Sequence, residues 1–113
     1  MWLFTKRDFF SIVKHAEQPD ILIVRARVEG DIQKYWPKAH VIETYDSDYR
    51  YRAFIHVKSV SEKIKDIVET IDYTNFKANI DDRVRRGPFY TRVWHIMLQL
   101  QNAILRRKYD DTD

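Results

Sequence analysis

With 113 residues the chain has room for one domain and a single core. Its 44% hydrophobic and 14% aromatic content excludes intrinsic disorder, and the lack of any cysteine excludes a disulfide framework, a thiolate metal site and a cysteine nucleophile. The net charge of +3 is unevenly placed: residues 83–108 hold seven bases and no acid, and Asp110, Asp111 and Asp113 form an acidic tail behind them.

Met1-Trp2-Leu3-Phe4 is apolar, but Lys6, Arg7 and Asp8 interrupt it. A signal peptide needs an apolar run of about 7–15 residues and a membrane span about 20, so the expectation is a cytoplasmic protein with no membrane partner. Trp2 to Lys6 and Phe9 to His15 predict a strand pair, rich in aromatic and β-branched residues. Glu17-Gln18-Pro19-Asp20 predicts a turn, and Ile21 to Val28 the next strand. Gly30-Asp31 opens a short helix, with Asp31 as N-cap and Ile32, Tyr35 and Trp36 on one stripe; Pro37 ends it. His40 to Tyr45 and Tyr49 to Lys58 predict a hairpin around Asp46-Ser47-Asp48.

Ser59-Val60-Ser61-Glu62 matches a capping box, and Val60, Ile64, Ile67, Val68 and Ile71 trace the apolar face of the helix behind it. Thr74 or Asn75 caps a third helix carrying Phe76, Ile80 and Val84, with Gly87 past its end and Pro88 in the first turn of the next. The last helix runs from about Phe89 to Arg107, where Tyr90, Val93, Trp94, Met97, Leu98, Gln101, Ile104 and Leu105 form one stripe. The expected fold is α+β: an antiparallel sheet of about five strands, helices on one face and a long C-terminal helix. The middle portion is partly ferredoxin-like, with Asp72-Tyr73-Thr74-Asn75-Phe76-Lys77 where the final ferredoxin strand belongs. Residues 1–109 are read as one domain and 110–113 as a tail.

Met1-Trp2-Leu3-Phe4-Thr5, Phe9-Phe10-Ser11, Val24-Arg25-Ala26-Arg27, Asp48-Tyr49-Arg50-Tyr51-Arg52, Asp72-Tyr73 with Asn75-Phe76-Lys77, and Val93-Trp94 with Leu98-Gln99 run through the chain. In this combination it resembles a family of short, uncharacterised bacterial proteins that begin MWLFT. The resemblance implies a bacterial or phage origin and one folded unit, and it supplies no mechanism.

The residues themselves point to an anionic ligand. A strand sends successive side chains to opposite faces. Arg25 and Arg27 therefore share one face of their strand, and Arg50, Arg52 and His56 one face of theirs. Guanidinium groups hold phosphate or carboxylate bidentately. Phe54 shares the arginine parity, whereas Tyr49 and Tyr51 fall on the other. The competing and commoner arrangement pairs these arginines with Glu29, Glu43, Asp46 or Asp48 across strands. Arg83, Arg85, Arg86 and Arg92 form an electrostatic flank, with Asp81–Arg85 and Asp82–Arg86 at helix-pair spacing.

Enzymatic chemistry has little support. His15, His40, His56 and His95 lack metal-ligand spacing, the serines lie in no nucleophile elbow, and Gly30 and Gly87 make no phosphate loop, so neither metal nor cofactor is expected. A metal-dependent nuclease using Asp46, Asp48 and His56 is the weakest reading. The leading expectation is a non-enzymatic protein that binds nucleic-acid backbone or another phosphorylated ligand. The alternative is a protein-interaction module, such as a phage or mobile-element inhibitor of a host defence complex. A homodimer through the last helix fits either.

Overall fold

The computed structural model describes residues 1–110, apart from the side chain of Arg83. These residues fall into two compact units, one of Met1–Thr74 and one beginning at Asn75.

The first unit is a five-stranded antiparallel sheet with two helices. Its strands are β1 (Trp2–Phe4), β2 (Phe9–Lys14), β3 (Ile21–Ala26), β4 (Ile42–Glu43) and β5 (Tyr51–His56), in the order β1-β2-β3-β5-β4. Between β3 and β4 lies α1 (Asp31–Tyr35), and after β5 comes α2 (Val57–Glu69). The α+β class expected from the sequence is the one observed. β3, α1 and β4 make a β-α-β unit split by β5, which is the ferredoxin-like portion. Residues 72–77 do not supply the missing strand. The N-terminal hairpin does so instead, placing β2 beside β3 with Ser11 opposite Arg25 and Ile12 opposite Val24.

Period-2 alternation decides which face is dry. Phe10, Ile12, Val24, Ala26, Ala53 and Ile55 fall on one parity, and Ile32, Trp36 and Val60 close over them from the helix layer. The Phe10 ring meets the Trp36 ring edge-on at 5.7 Å, and Trp36 Nε1 donates to the Ser59 carbonyl at 3.2 Å. Both helices of this unit thus cover the same side of the sheet.

Helix starts differ from the capping patterns. Gly30, at φ 90°, stands before α1, so Asp31 is its first residue and is buried there. Only glycine adopts that dihedral without steric cost. β5 passes into α2 with no intervening turn, and the Val57 amide, which has no acceptor within the helix, donates to the Asp20 carbonyl at 2.8 Å. His56 is consequently the N-cap, its Nδ1 accepting from the Lys58 amide at 3.1 Å, and the Ser59–Glu62 box lies inside the helix. Val60 is buried on the inner side of α2, while Val68 and Ile71 are exposed.

In the second unit the expected third helix is two 3-10 turns, Lys77–Asn79 and Asp82–Val84. Phe76 is the N-cap position of the first, and Asn75 just before it accepts from the Ala78 amide through Oδ1 at 3.0 Å, but Ile80 is extended and breaks the run. Arg85, at φ 55°, takes the left-handed position expected of Gly87. Gly87 lies in the first turn of α3 (Arg86–Asp110), where its amide donates to Asp82 Oδ1 at 2.7 Å. A Cβ there would meet that oxygen at 2.9 Å, so a larger residue would make the Asp82 carboxylate shift. Phe76 stacks on Tyr90 with ring centroids 6.0 Å apart. Of the tail, Asp110 ends α3 and residues 111–113 lie outside the described residues.

Candidate functional site

The sheet face away from the helices carries the candidate site. Register fixes its layout: Trp2 pairs with Ser11, Ser11 with Arg25, Arg25 with Arg52, and Arg52 with Ile42, giving one row across all five strands. The next row holds Val13, Ile23 and Phe54. Phe4 and Phe9 pair on the far side of Trp2 and Ser11, their rings stacked at 4.4 Å. No Asp or Glu occupies a strand position on this face.

Arg25 and Arg52 are direct cross-strand partners, so the register roots two arginine side chains opposite each other on one face. Like charges directly opposite one another destabilise a sheet. Neither arginine pairs with a carboxylate among the described residues. Each is instead held by a serine hydroxyl: Arg25 Nη2 donates to Ser11 Oγ and Arg52 Nη2 to Ser47 Oγ, both at 2.6 Å. The Nε–H of each is shut off from water and finds no acceptor in the protein. A buried donor without an acceptor costs roughly 1–3 kcal/mol. Both guanidinium groups are therefore anchored by neutral hydroxyls, with no carboxylate against them among the described residues.

Tyr49 joins them, against the expectation that it faces the other way. It precedes β5, where strand alternation does not apply, and its ring is buried with Arg25 and Arg27 lying 4.6 and 4.1 Å from the centroid. Arg27, beyond the end of β3, also donates to the Asp48 carbonyl. Ser11, Ser47 and Tyr49 had no mark in the sequence; only the strand register and the loop path place them.

The other two predicted residues lie elsewhere. Arg50 precedes β5 and turns to the sheet edge, where its Nε meets Glu43 Oε1 at 2.8 Å and its guanidinium lies 4.5 Å from the Tyr45 ring. That contact raises its already high pKa, first through the hydrogen bond to Glu43. The predicted pairing with acids thus holds for Arg50 and not for Arg25 or Arg52. His56 shares the face but lies four residues along β5 from Arg52, about 13 Å away, with Nδ1 occupied as the cap of α2. Asp46 and Asp48 lie in the loop before β5, at the end opposite His56, so these three do not converge.

The proposed flank is also divided. Arg86 is only 6% exposed, buried in the first turn of α3 just after the left-handed turn at Arg85, and so is not a surface cation. Arg85 and Arg92 are exposed, Arg92 lying 5.4 Å from the Phe89 ring. The side chain of Arg83 lies outside the described residues.

On the helix side, a cleft of about 380 Å³ is lined by Lys6, Arg7, Tyr35, Lys63, Asp66 and Tyr73, among others. Its cations are partly answered, since Lys6 lies 3.7 Å from Asp72 and Asp66 shares the wall. Beneath it Asp8 is buried, accepting from the hydroxyls of Thr5 and Tyr35. Burial pushes the Asp8 carboxyl up, a direction those two hydrogen bonds oppose and the charge of Asp31 reinforces. Burial, with the charge of Asp8, pushes the Tyr35 phenol up to about 12.

Among the described residues no helix is long and apolar enough to cross a membrane, and no three His, Asp or Glu side chains gather as a metal site. No family model, curated protein or solved structure matches the chain.

Proposed function

We propose that this protein binds a phosphate-bearing ligand, nucleic-acid backbone foremost, on the open face of its sheet. One observation carries the reading: strand register sets Arg25 directly opposite Arg52, and among the described residues neither pairs with a carboxylate. A bound anion offsets the like charge of the two arginines and accepts from guanidinium N–H groups other than the buried Nε–H. Arg27 beside Tyr49 extends the positive surface along the same side. Binding here requires no cofactor and no catalytic group.

The test is the salt dependence of binding to a labelled oligonucleotide. Each phosphate neutralised contributes roughly 0.9 to the log–log slope on duplex and about 0.7 on single strands. The Arg25→Gln, Arg52→Gln double variant is expected to bind more weakly and with a slope shallower by about 1–2. Parent-like affinity and slope in that variant would remove the sheet face from the reading.

A second reading concerns α3. Phe89, Val93, Ile96, Met97, Leu100 and Ile104 recur at i, i+4, i+7, i+8, i+11 and i+15, and all are exposed. Only Arg86 and Tyr90 of this helix are buried. A unit of fewer than about 40 residues with so little interior needs a partner. We read the apolar side of α3 as a protein-interaction surface, with a second copy of this chain as the occupant that its heptad-like spacing suits.

A further inference from the structure

We infer that the ligand of the arginine face is a single-stranded nucleic acid, its bases stacking on Phe54 and Trp2 while its phosphates rest on Arg25 and Arg52. This rests on the anion-binding reading and adds the class of polymer. The observation behind it is that the face is not simply cationic. Phe54 is 49% exposed and Trp2 68%, and both project on the arginine side.

Their spacing suits a strand laid across the sheet. Phe54 is two residues from Arg52 along β5, about 7 Å away. Trp2 is two strands from Arg25 in the same row, about 10 Å away. The two rings thus flank the arginine pair and lie far enough apart to take separate bases. Val13 and Ile23 lie in the row of Phe54, so the floor between the stacking positions is apolar.

A duplex cannot use this arrangement, because its bases are already stacked on one another and present only edges and phosphates. An unpaired base has a free π-face, and aromatic side chains beside arginines on an open sheet hold it with little regard to sequence. A small phosphorylated compound would use the arginines and leave Trp2, two strands away, untouched. The rings are also held in place: Trp2 packs edge-on to Phe9 at 6.2 Å and Phe54 edge-on to His15 at 5.4 Å. They are platforms whose ordering cost is met before any ligand arrives.

The experiment measures anisotropy of labelled 12-nucleotide oligo(U) and oligo(dT), and of a 12-base-pair duplex, at low salt. Both single strands are expected to bind at least tenfold more tightly than the duplex. Phe54→Ala and Trp2→Ala are each expected to weaken single-strand binding by about tenfold, with the salt slope unchanged. Trp2→Phe, which keeps a ring, should retain most of the affinity and guards against a folding defect in Trp2→Ala. Bound oligonucleotide should also quench Trp2 fluorescence in a Trp94→Phe background, where the other remaining tryptophan, Trp36, is buried. Equal binding of duplex and single strands, or unchanged affinity in Phe54→Ala and Trp2→Ala while Arg25→Gln still weakens binding, overturns this inference and leaves the anion reading standing. No binding of any of the three probes by the parent protein overturns the inference, and inorganic pyrophosphate binding then decides the anion reading separately.

Discussion

Strand parity set Arg25 on one face of β3 and Arg52 on one face of β5, because both lie inside regular strands where side chains alternate strictly, and the β3–β5 register makes those two faces the same. Arg50 and Tyr49 escaped that logic for one reason: each precedes Tyr51, the first residue of β5, and a loop obeys no period. Whether a sheet arginine would find an acid was not legible either. Glu43 and Arg50 meet at the edge through the path of the β4–β5 loop, whereas Asp46 and Asp48 of that same loop leave Arg52 to the Ser47 hydroxyl. The buried Asp8 likewise left no sign, since a Thr-x-x-Asp turn reads as surface. Its carboxyl, raised above the ordinary 3.8, gives a pH prediction. A carboxyl raised in the folded state contributes stability below its unfolded pKa, and that contribution is lost as pH rises through the folded value. Thermal unfolding midpoints should therefore fall as pH climbs from about 4, and Asp8→Asn, which keeps an acceptor for Thr5 and Tyr35, should show a flatter profile. A parent and variant with parallel profiles would assign the pH dependence to other groups.

Among the elements, those with strong periodicity were read correctly in kind and loosely in extent. β2, β3, β5, α2 and α3 all form, with boundaries moved by at most three residues. The third helix failed because three apolar residues at spacing four do not by themselves close helical turns; Ile80 is extended, and Asp82 spends its carboxylate on the Gly87 amide. α3 is the instructive case. Its apolar arc was legible, but whether the chain itself covers that arc was not: Met97 is 54% exposed and Ile104 58%. If a second copy covers this side, the parent chain should sediment as a dimer at micromolar concentration. Leu100→Glu, on the exposed side, should then shift it to monomer without loss of helix content by circular dichroism. A parent that stays monomeric at high micromolar concentration contradicts the self-association reading.

At the scale of the molecule, the α+β class followed from element order, but the sheet's edge did not. Nothing in the sequence says that the N-terminal hairpin, and not residues 72–77, completes the split β-α-β unit. That choice matters for function, since it brings Ser11 beside Arg25 and sets Trp2 and Phe9 on the arginine side. It leaves a sheet with one face sealed by α1 and α2 and the other bearing three arginines, aromatic rings and no strand carboxylate. The whole reading stands on the chemical availability of two guanidinium groups. Side-chain 15N–1H spectra recorded while inorganic pyrophosphate is added report on those groups with no polymer, stacking or assembly involved. The Arg25 and Arg52 guanidinium resonances are expected to shift progressively and to saturate, while those of Arg50, already bonded to Glu43, stay in place. Resonances of Arg25 and Arg52 that do not move as pyrophosphate reaches millimolar concentration would contradict it.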